Sequence, residues 1–124
     1  MNGIRFVSGS LHGILDYAAA IVLITVPLAL NFQTTSPFAL WLSVAAGILL
    51  IAYSLITDYG LSVVKWIPFN VHLILDAVAG IAFLAVPFLF GFDGLIRWFY
   101  LANGAIVLLL VIVTDPRISR VENR

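Results

Sequence analysis

The 124-residue chain is 63% hydrophobic and 10% charged, with a mean hydropathy of +1.15. So much apolar surface cannot be hidden inside so small a soluble body, whose surface is large relative to its core. Six basic and six acidic residues cancel, which offers no general attraction to nucleic acid, and the absence of cysteine excludes disulfides, thiolate metal sites and thiol catalysis.

The first apolar run, Leu11 to Leu30, follows a short basic start at Met1 to Arg5 that superficially imitates a signal peptide. Asp16 interrupts the run early, and its length suits a full crossing of the roughly 30 Å hydrocarbon layer, so it is expected to be a retained first helix. Phe38 to Ile56, Val71 to Phe90 and Leu95 to Val113 are the other runs of spanning length. They are apolar on every side, unlike the alternating strands of a barrel, and helices satisfy their own backbone groups in lipid. Ser10 and Asn70 are expected as N-caps of the first and third helices, and Pro37 suits the first turn of the second. Pro27 and Pro87 predict kinks and free the carbonyls of Leu23 and Phe83.

Asn31 to Pro37 and Gly91 to Gly94 are short connections, which make antiparallel neighbours; Thr57 to Asn70 is longer. The expectation is two helical hairpins in one transmembrane domain covering 1–124, with repeats at 4–58 and 64–115 and a tail at 116–124. The repeat is legible residue by residue. His12, Ile14, Leu15, Asp16, Ala19, Ile21, Val26, Pro27 and Phe32 recur sixty positions later as His72, Ile74, Leu75, Asp76, Ala79, Ile81, Val86, Pro87 and Phe92. Arg5 and Phe6 are answered by Lys65 and Trp66, while Trp41, Gly47, Thr57 and Asp58 are answered fifty-seven positions later by Trp98, Gly104, Thr114 and Asp115. Two spans per repeat keep both copies in one orientation, so the fold class expected is an all-α bundle of four membrane helices with a pseudo-twofold along the membrane normal.

Arg5, Lys65, Arg117, Arg120 and Arg124 lie on one side and Arg97 on the other, a bias from which both termini and the central loop are expected in the cytoplasm. Trp66, Trp98 and Tyr59 fall near span ends, where aromatic rings anchor in the headgroup layer. Asn103 is expected to make an interhelical hydrogen bond, and Ser43 with Gly47 forms a small-residue face for close approach of a helix, within the chain or between copies.

Chemistry concentrates in a duplicated His-x-x-x-Asp, His12 with Asp16 and His72 with Asp76. A spacing of four puts each pair on one helix face, about one turn apart. Intramembrane carboxylates are expensive and normally face the bundle interior. The leading reading is structural: Asp16 and Asp76 pair with the histidines, with Arg5 and Lys65, or with backbone donors near the helix N-termini. A divalent metal held by His12, Asp16, His72 and Asp76 is a second reading, since imidazole and carboxylate suit zinc, iron or manganese. A proton or cation path through His12, Asp16, Asp58, His72, Asp76 and Asp115 is a third, and haem between His12 and His72 a fourth. No nucleophile with base and orienter, phosphate loop or dinucleotide fingerprint is present, so the expectation is a non-enzymatic module without a cofactor. Its partners are expected to be the lipid bilayer and copies of itself or another membrane protein.

The segments Asp16 to Phe32 and Asp76 to Phe92 resemble the SPW-repeat membrane proteins, small bacterial proteins named for a Ser-Pro-Trp triplet near the end of the first of two membrane helices. The triplets here are Val26-Pro27-Leu28 and Val86-Pro87-Phe88, which keep the proline; the shared framework is an early Asp, a mid-helix small residue, the late Pro and a closing Phe, then Trp and Gly in the following helix. The resemblance implies a bacterial inner-membrane protein and no particular activity.

Overall fold

The computed structural model describes residues 3–59 and 62–116. Four helices follow one another: α1 (Gly9–Ala29), α2 (Pro37–Leu55), α3 (Phe69–Leu89) and α4 (Gly94–Val113), with a single 3-10 turn at Phe32–Thr34 between α1 and α2. Each is 19 to 21 residues long, hence about 30 Å at 1.5 Å per residue, and apolar enough to cross a bilayer. The protein is a four-span, all-helical membrane protein, and no strand occurs among its described residues. Arg117, Arg120 and Arg124, which carry most of the basic bias, lie outside the described residues.

Local chemistry explains where the helices start and stop. Ser36 caps α2 by accepting the Ala39 N–H at 3.1 Å, with Pro37 at the first helical position as expected. The caps of the other hairpin arms differ from expectation. The Ser8 hydroxyl, not that of Ser10, accepts the Leu11 N–H of α1 at 3.1 Å, and α3 begins after Pro68, not Asn70. Both helices start earlier because the residues before them are pinned by pairing: Val7 bridges Thr114, and Ile67 bridges Thr57. Pro68 has a fixed φ of −57° that leads into the helix without a side-chain cap. At their far ends α1 and α3 stop at matching positions, Asn31 and Gly91, which take left-handed φ values of 55° and 68°.

Helix α1 packs on α2 and α3 on α4, so each half is a hairpin. Glycine sets the approach. A Cβ built on Gly47 would lie 2.9 Å from the Ala20 carbonyl oxygen, and one on Gly104 would lie 2.7 Å from that of Gly80. The Ser43–Gly47 face is thus used inside the chain, against α1. Helical structure runs through Pro27 and Pro87, both buried, and the Leu23 carbonyl that Pro27 cannot bond accepts the Ser43 hydroxyl at 2.7 Å. Asn103 does not bridge helices through its amide nitrogen, which donates to the Phe99 carbonyl one turn back at 2.8 Å. A main-chain acceptor within reach satisfies that donor locally.

Away from the termini, the hairpins meet in an aromatic layer. Tyr100 stacks on Phe83 with centroids 4.7 Å apart, and its hydroxyl donates to the Ala39 carbonyl at 2.5 Å, tying α4 to α2. Outward-facing Ile21, Ile48, Ile81, Ile106 and Leu109 are exposed, as lipid-facing residues should be. Trp66 and Trp98 are exposed near span ends, but Tyr59 is fully buried. Its ring packs on Phe69 and His72, 5.4 and 5.1 Å away, so it belongs to the core and not to an aromatic belt. Burial pushes the Tyr59 phenol above its ordinary value.

Gly104→Ala is expected to destabilise the protein by about 1–3 kcal/mol, because the new methyl meets a backbone carbonyl that has no room to move. Detergent-denaturant titration followed by circular dichroism measures this, with Gly3→Ala, whose methyl would meet nothing within 4 Å, as the unaffected control.

Candidate functional site: a buried His/Asp square

The duplicated histidines and aspartates converge. His12, Asp16, His72 and Asp76 are 0%, 3%, 0% and 2% exposed, and one ligand atom from each lies within 4.8 Å of all the others. The short bonds cross from one hairpin to the other: His12 Nε2 lies 2.8 Å from Asp76 Oδ2, and His72 Nε2 lies 2.6 Å from Asp16 Oδ2. The pairs on the same helix, His12 with Asp16 and His72 with Asp76, are each 3.2 Å apart. Each Oδ2 therefore faces both imidazoles, and the atoms alternate nitrogen and oxygen around a closed ring.

The other nitrogen of each imidazole is also held by the opposite hairpin. His12 Nδ1 lies 2.8 Å from Thr114 Oγ1, and His72 Nδ1 lies 2.7 Å from Thr57 Oγ1. Both threonine hydroxyls also contact a carbonyl one turn back on their own helices, Leu110 O and Tyr53 O, at 2.6 Å. A hydroxyl has one proton. Spending it on the carbonyl leaves Oγ1 as an acceptor, so Nδ1 carries the hydrogen in both rings and Nε2 is directed at the carboxylates.

Main-chain pairing sets these positions. The Val7 N–H donates to Val113 O and the Asp115 N–H to Val7 O, each at 2.9 Å, while the Ile67 N–H donates to Ile56 O at 2.8 Å and the Asp58 N–H to Ile67 O at 2.7 Å. Every one of these bonds has its partner at the sequence offsets of sixty and fifty-seven. The segment that precedes the His-bearing helix of one repeat thus clips onto the end of the other, bringing threonine to histidine.

Tyr53 breaks the correspondence. Its hydroxyl donates to Asp76 Oδ1, whereas Leu110 stands at the equivalent place in α4. Aromatic rings close around the imidazoles: Phe69 lies 5.4 Å from His12, and Tyr53 lies 4.8 Å from His72. The imidazoles are 5.6 Å apart at 79°, with both Nε2 atoms on carboxylates, which leaves no slot for a haem plane between them.

Several expected partners are elsewhere. Arg5 Nε donates to the Thr114 carbonyl at 3.0 Å, and Lys65 Nζ to the Tyr59 carbonyl at 2.7 Å, so both basic residues brace the clips and not the aspartates. Asp58 and Asp115 stay outside the square. They line a polar vestibule of about 290 Å³ with Arg5, Phe69 and Asn70, at the same end of the bundle. On the other side of the carboxylates a cavity of about 90 Å³ extends between the hairpins past Ala46, Gly80 and Asn103 to Leu23 and Phe83.

The sequence names the four residues of the square, but not what holds them. Thr57 and Thr114 stand out only as members of the repeat, and a threonine at a helix end has no distinctive pattern. Tyr53 is invisible to repeat comparison because its counterpart is leucine.

No curated protein and no solved structure matches the chain. A family model does: the SPW repeat domain matches residues 10–114, from the first turn of α1 to the threonine that binds His12. The chain belongs to the SPW repeat family, as the framework around Pro27 and Pro87 led one to expect.

Proposed function

We propose that this is a non-enzymatic membrane module in which the His/Asp square locks two hairpins, related by a pseudo-twofold along the membrane normal, into one unit. The observation that carries the reading is the crossing of the short bonds: each imidazole takes both its carboxylate and its hydroxyl from the opposite hairpin. In a bilayer such groups cannot fall back on water, so separating the hairpins would strand two carboxylates and two imidazoles in an apolar medium. The module assembles with copies of itself or with another membrane protein through its exposed apolar outer faces. Its place is a bacterial inner membrane, with the end that carries Val7, the central connection and Asp115 facing the cytoplasm.

A second reading, a proton or cation path, draws on the succession of polar vestibule, square and inner cavity along the bundle. The closed pairing in the square favours the lock, because a conducting site must let its occupant leave.

Two measurements test this reading. Breaking a buried ion pair leaves its partner uncompensated at a cost of about 3–5 kcal/mol, and His72→Ala is expected to fall in that range. Removing both His72 and Asp16 should cost less than the sum of the single changes, with a coupling of at least about 0.5 kcal/mol. Additive losses would remove the lock. In proteoliposomes the wild-type protein is expected to pass neither protons nor divalent cations above the protein-free rate; a flux abolished by His72→Ala would establish the path instead.

Orientation is open to a direct check because the chain has no native cysteine. With Gln33→Cys and Val63→Cys, at exposed positions on opposite ends of the bundle, an impermeant maleimide is expected to label only the first in intact spheroplasts. Labelling of only the second would invert the topology.

A further inference from the structure

We propose that the square is a binding site for one divalent transition-metal ion of the zinc class, which takes the place of protons as the element that closes the lock. The inference rests on the lock reading of the same four residues and adds the ligand. Three observations support it.

The first is the donor set. Two imidazole nitrogens and two carboxylate oxygens, mutually within 4.8 Å and nearly without solvent exposure, are ligand types that zinc accepts and match in number the four that a closed site takes. A regular tetrahedral site with ligand bonds of 2.0–2.1 Å has ligand-to-ligand edges of about 3.3 Å. Of the six edges of such a site, two nitrogen-to-oxygen contacts already have that length at 3.2 Å, two must open by about 0.5–0.7 Å from 2.6 and 2.8 Å, and the nitrogen-to-nitrogen and oxygen-to-oxygen diagonals, within 4.8 Å, must come to the same length. Hard cations such as Mg²⁺ prefer oxygen shells with retained waters and fit this set poorly.

The second lies outside the ligand atoms. A metal-bound histidine characteristically donates its other ring N–H to a fixed acceptor, which sets the tautomer and aims the lone pair. Thr114 and Thr57 do this for His12 and His72, and the carbonyls of Leu110 and Tyr53 hold the threonine hydroxyls in the accepting state. Tyr53 holds Asp76 through the oxygen that does not face the imidazoles.

The third is charge and access. With neutral imidazoles the two carboxylates leave the site at −2, and one divalent ion cancels that charge as two protons do in the metal-free square, so the exchange keeps the buried site neutral. The vestibule provides an approach lined by the two carboxylates of Asp58 and Asp115 against the one guanidinium of Arg5, and Phe69 both lines it and packs on His12.

The test uses full-length protein in detergent, cleared of metal with a chelator, loaded with Zn²⁺, Co²⁺ or Mg²⁺, desalted and analysed for metal by mass spectrometry. Wild type is expected to retain one Zn²⁺ or Co²⁺ per chain and no Mg²⁺. The Co²⁺ form should show the intense visible bands of a four-coordinate site. His72→Gln should abolish retention, and the milder Thr57→Val, which leaves all four ligands in place, should weaken affinity by about 10–100-fold.

Wild type that is folded by circular dichroism yet retains neither ion overturns the proposal, and so does retention undiminished in the folded His12→Gln/His72→Gln variant. The two readings separate in the same samples. If no metal binds but His72→Gln still shows coupled destabilisation with Asp16→Asn, the metal site falls and the lock stands. Should Zn²⁺ bind at the square without raising the denaturation midpoint, while His72→Gln leaves apo stability unchanged, the site stands and the lock falls.

Discussion

Two carboxylates buried in a membrane helix bundle impose a condition on everything near them. An ionised carboxylate in hydrocarbon is expensive, and the expense is contained only when an opposite charge or a hydrogen-bond donor faces it at close range. Asp16 and Asp76 face the two imidazoles, and each imidazole in turn needs its second nitrogen satisfied, which brings in Thr57 and Thr114. The threonines reach the histidines only because the chain before α1 and α3 pairs with the chain after α4 and α2. The main-chain clips, the early helix starts and the bracing of the clips by Arg5 and Lys65 all surround this one polar problem.

The reciprocal character of the site gives it more force than its bond count. Had each histidine paired chiefly with the aspartate of its own helix, the square would have stabilised two separate helices. The 3.2 Å contacts within helices and the 2.6 and 2.8 Å contacts between them show which partner is closer. Within each half, small residues do the packing, with Gly47 against Ala20 and Gly104 against Gly80. Lipid provides no hydrophobic drive for helices to associate, so van der Waals fit and polar bonds must supply it. Fit assembles the hairpins. Polar bonding at the terminal end, with Tyr100 reaching Ala39 in the aromatic layer, joins them.

Much of this architecture is legible in the sequence because membranes simplify the code. The spans follow from run length, the hairpins from loop length, and the candidate site from a His-x-x-x-Asp that occurs twice. What escapes the sequence has identifiable physical causes. Tyr59 lies beside a span end, where tyrosines commonly mark the interface, yet a ring beside His72 fills space in the core. Ser10 and Asn70 are good cap residues at plausible positions, but tertiary pairing at Val7 and Ile67 fixes the chain direction two to three residues earlier. The Asn103 amide nitrogen has a main-chain acceptor one turn back on its own helix, the Phe99 carbonyl. For Tyr59 and the caps a long-range constraint overrides a local preference, whereas for Asn103 a local acceptor takes the place of the long-range bond.

The asymmetry at Tyr53 makes the two halves of the site unequal. Two copies of one hairpin would at first give two equivalent carboxylates, each with one free oxygen. Here Asp76 has a phenol on that oxygen, and the residue equivalent to Tyr53 in the other half is leucine. A donor on Oδ1 steadies the carboxylate and draws electron density from its Oδ2, so the aspartates are no longer interchangeable as acceptors or ligands. The imidazoles follow suit, since Phe69 packs on both while His72 also meets the Tyr53 and Tyr59 rings. The repeated pattern frames the site, and the difference at one position, Tyr53 against Leu110, distinguishes its halves.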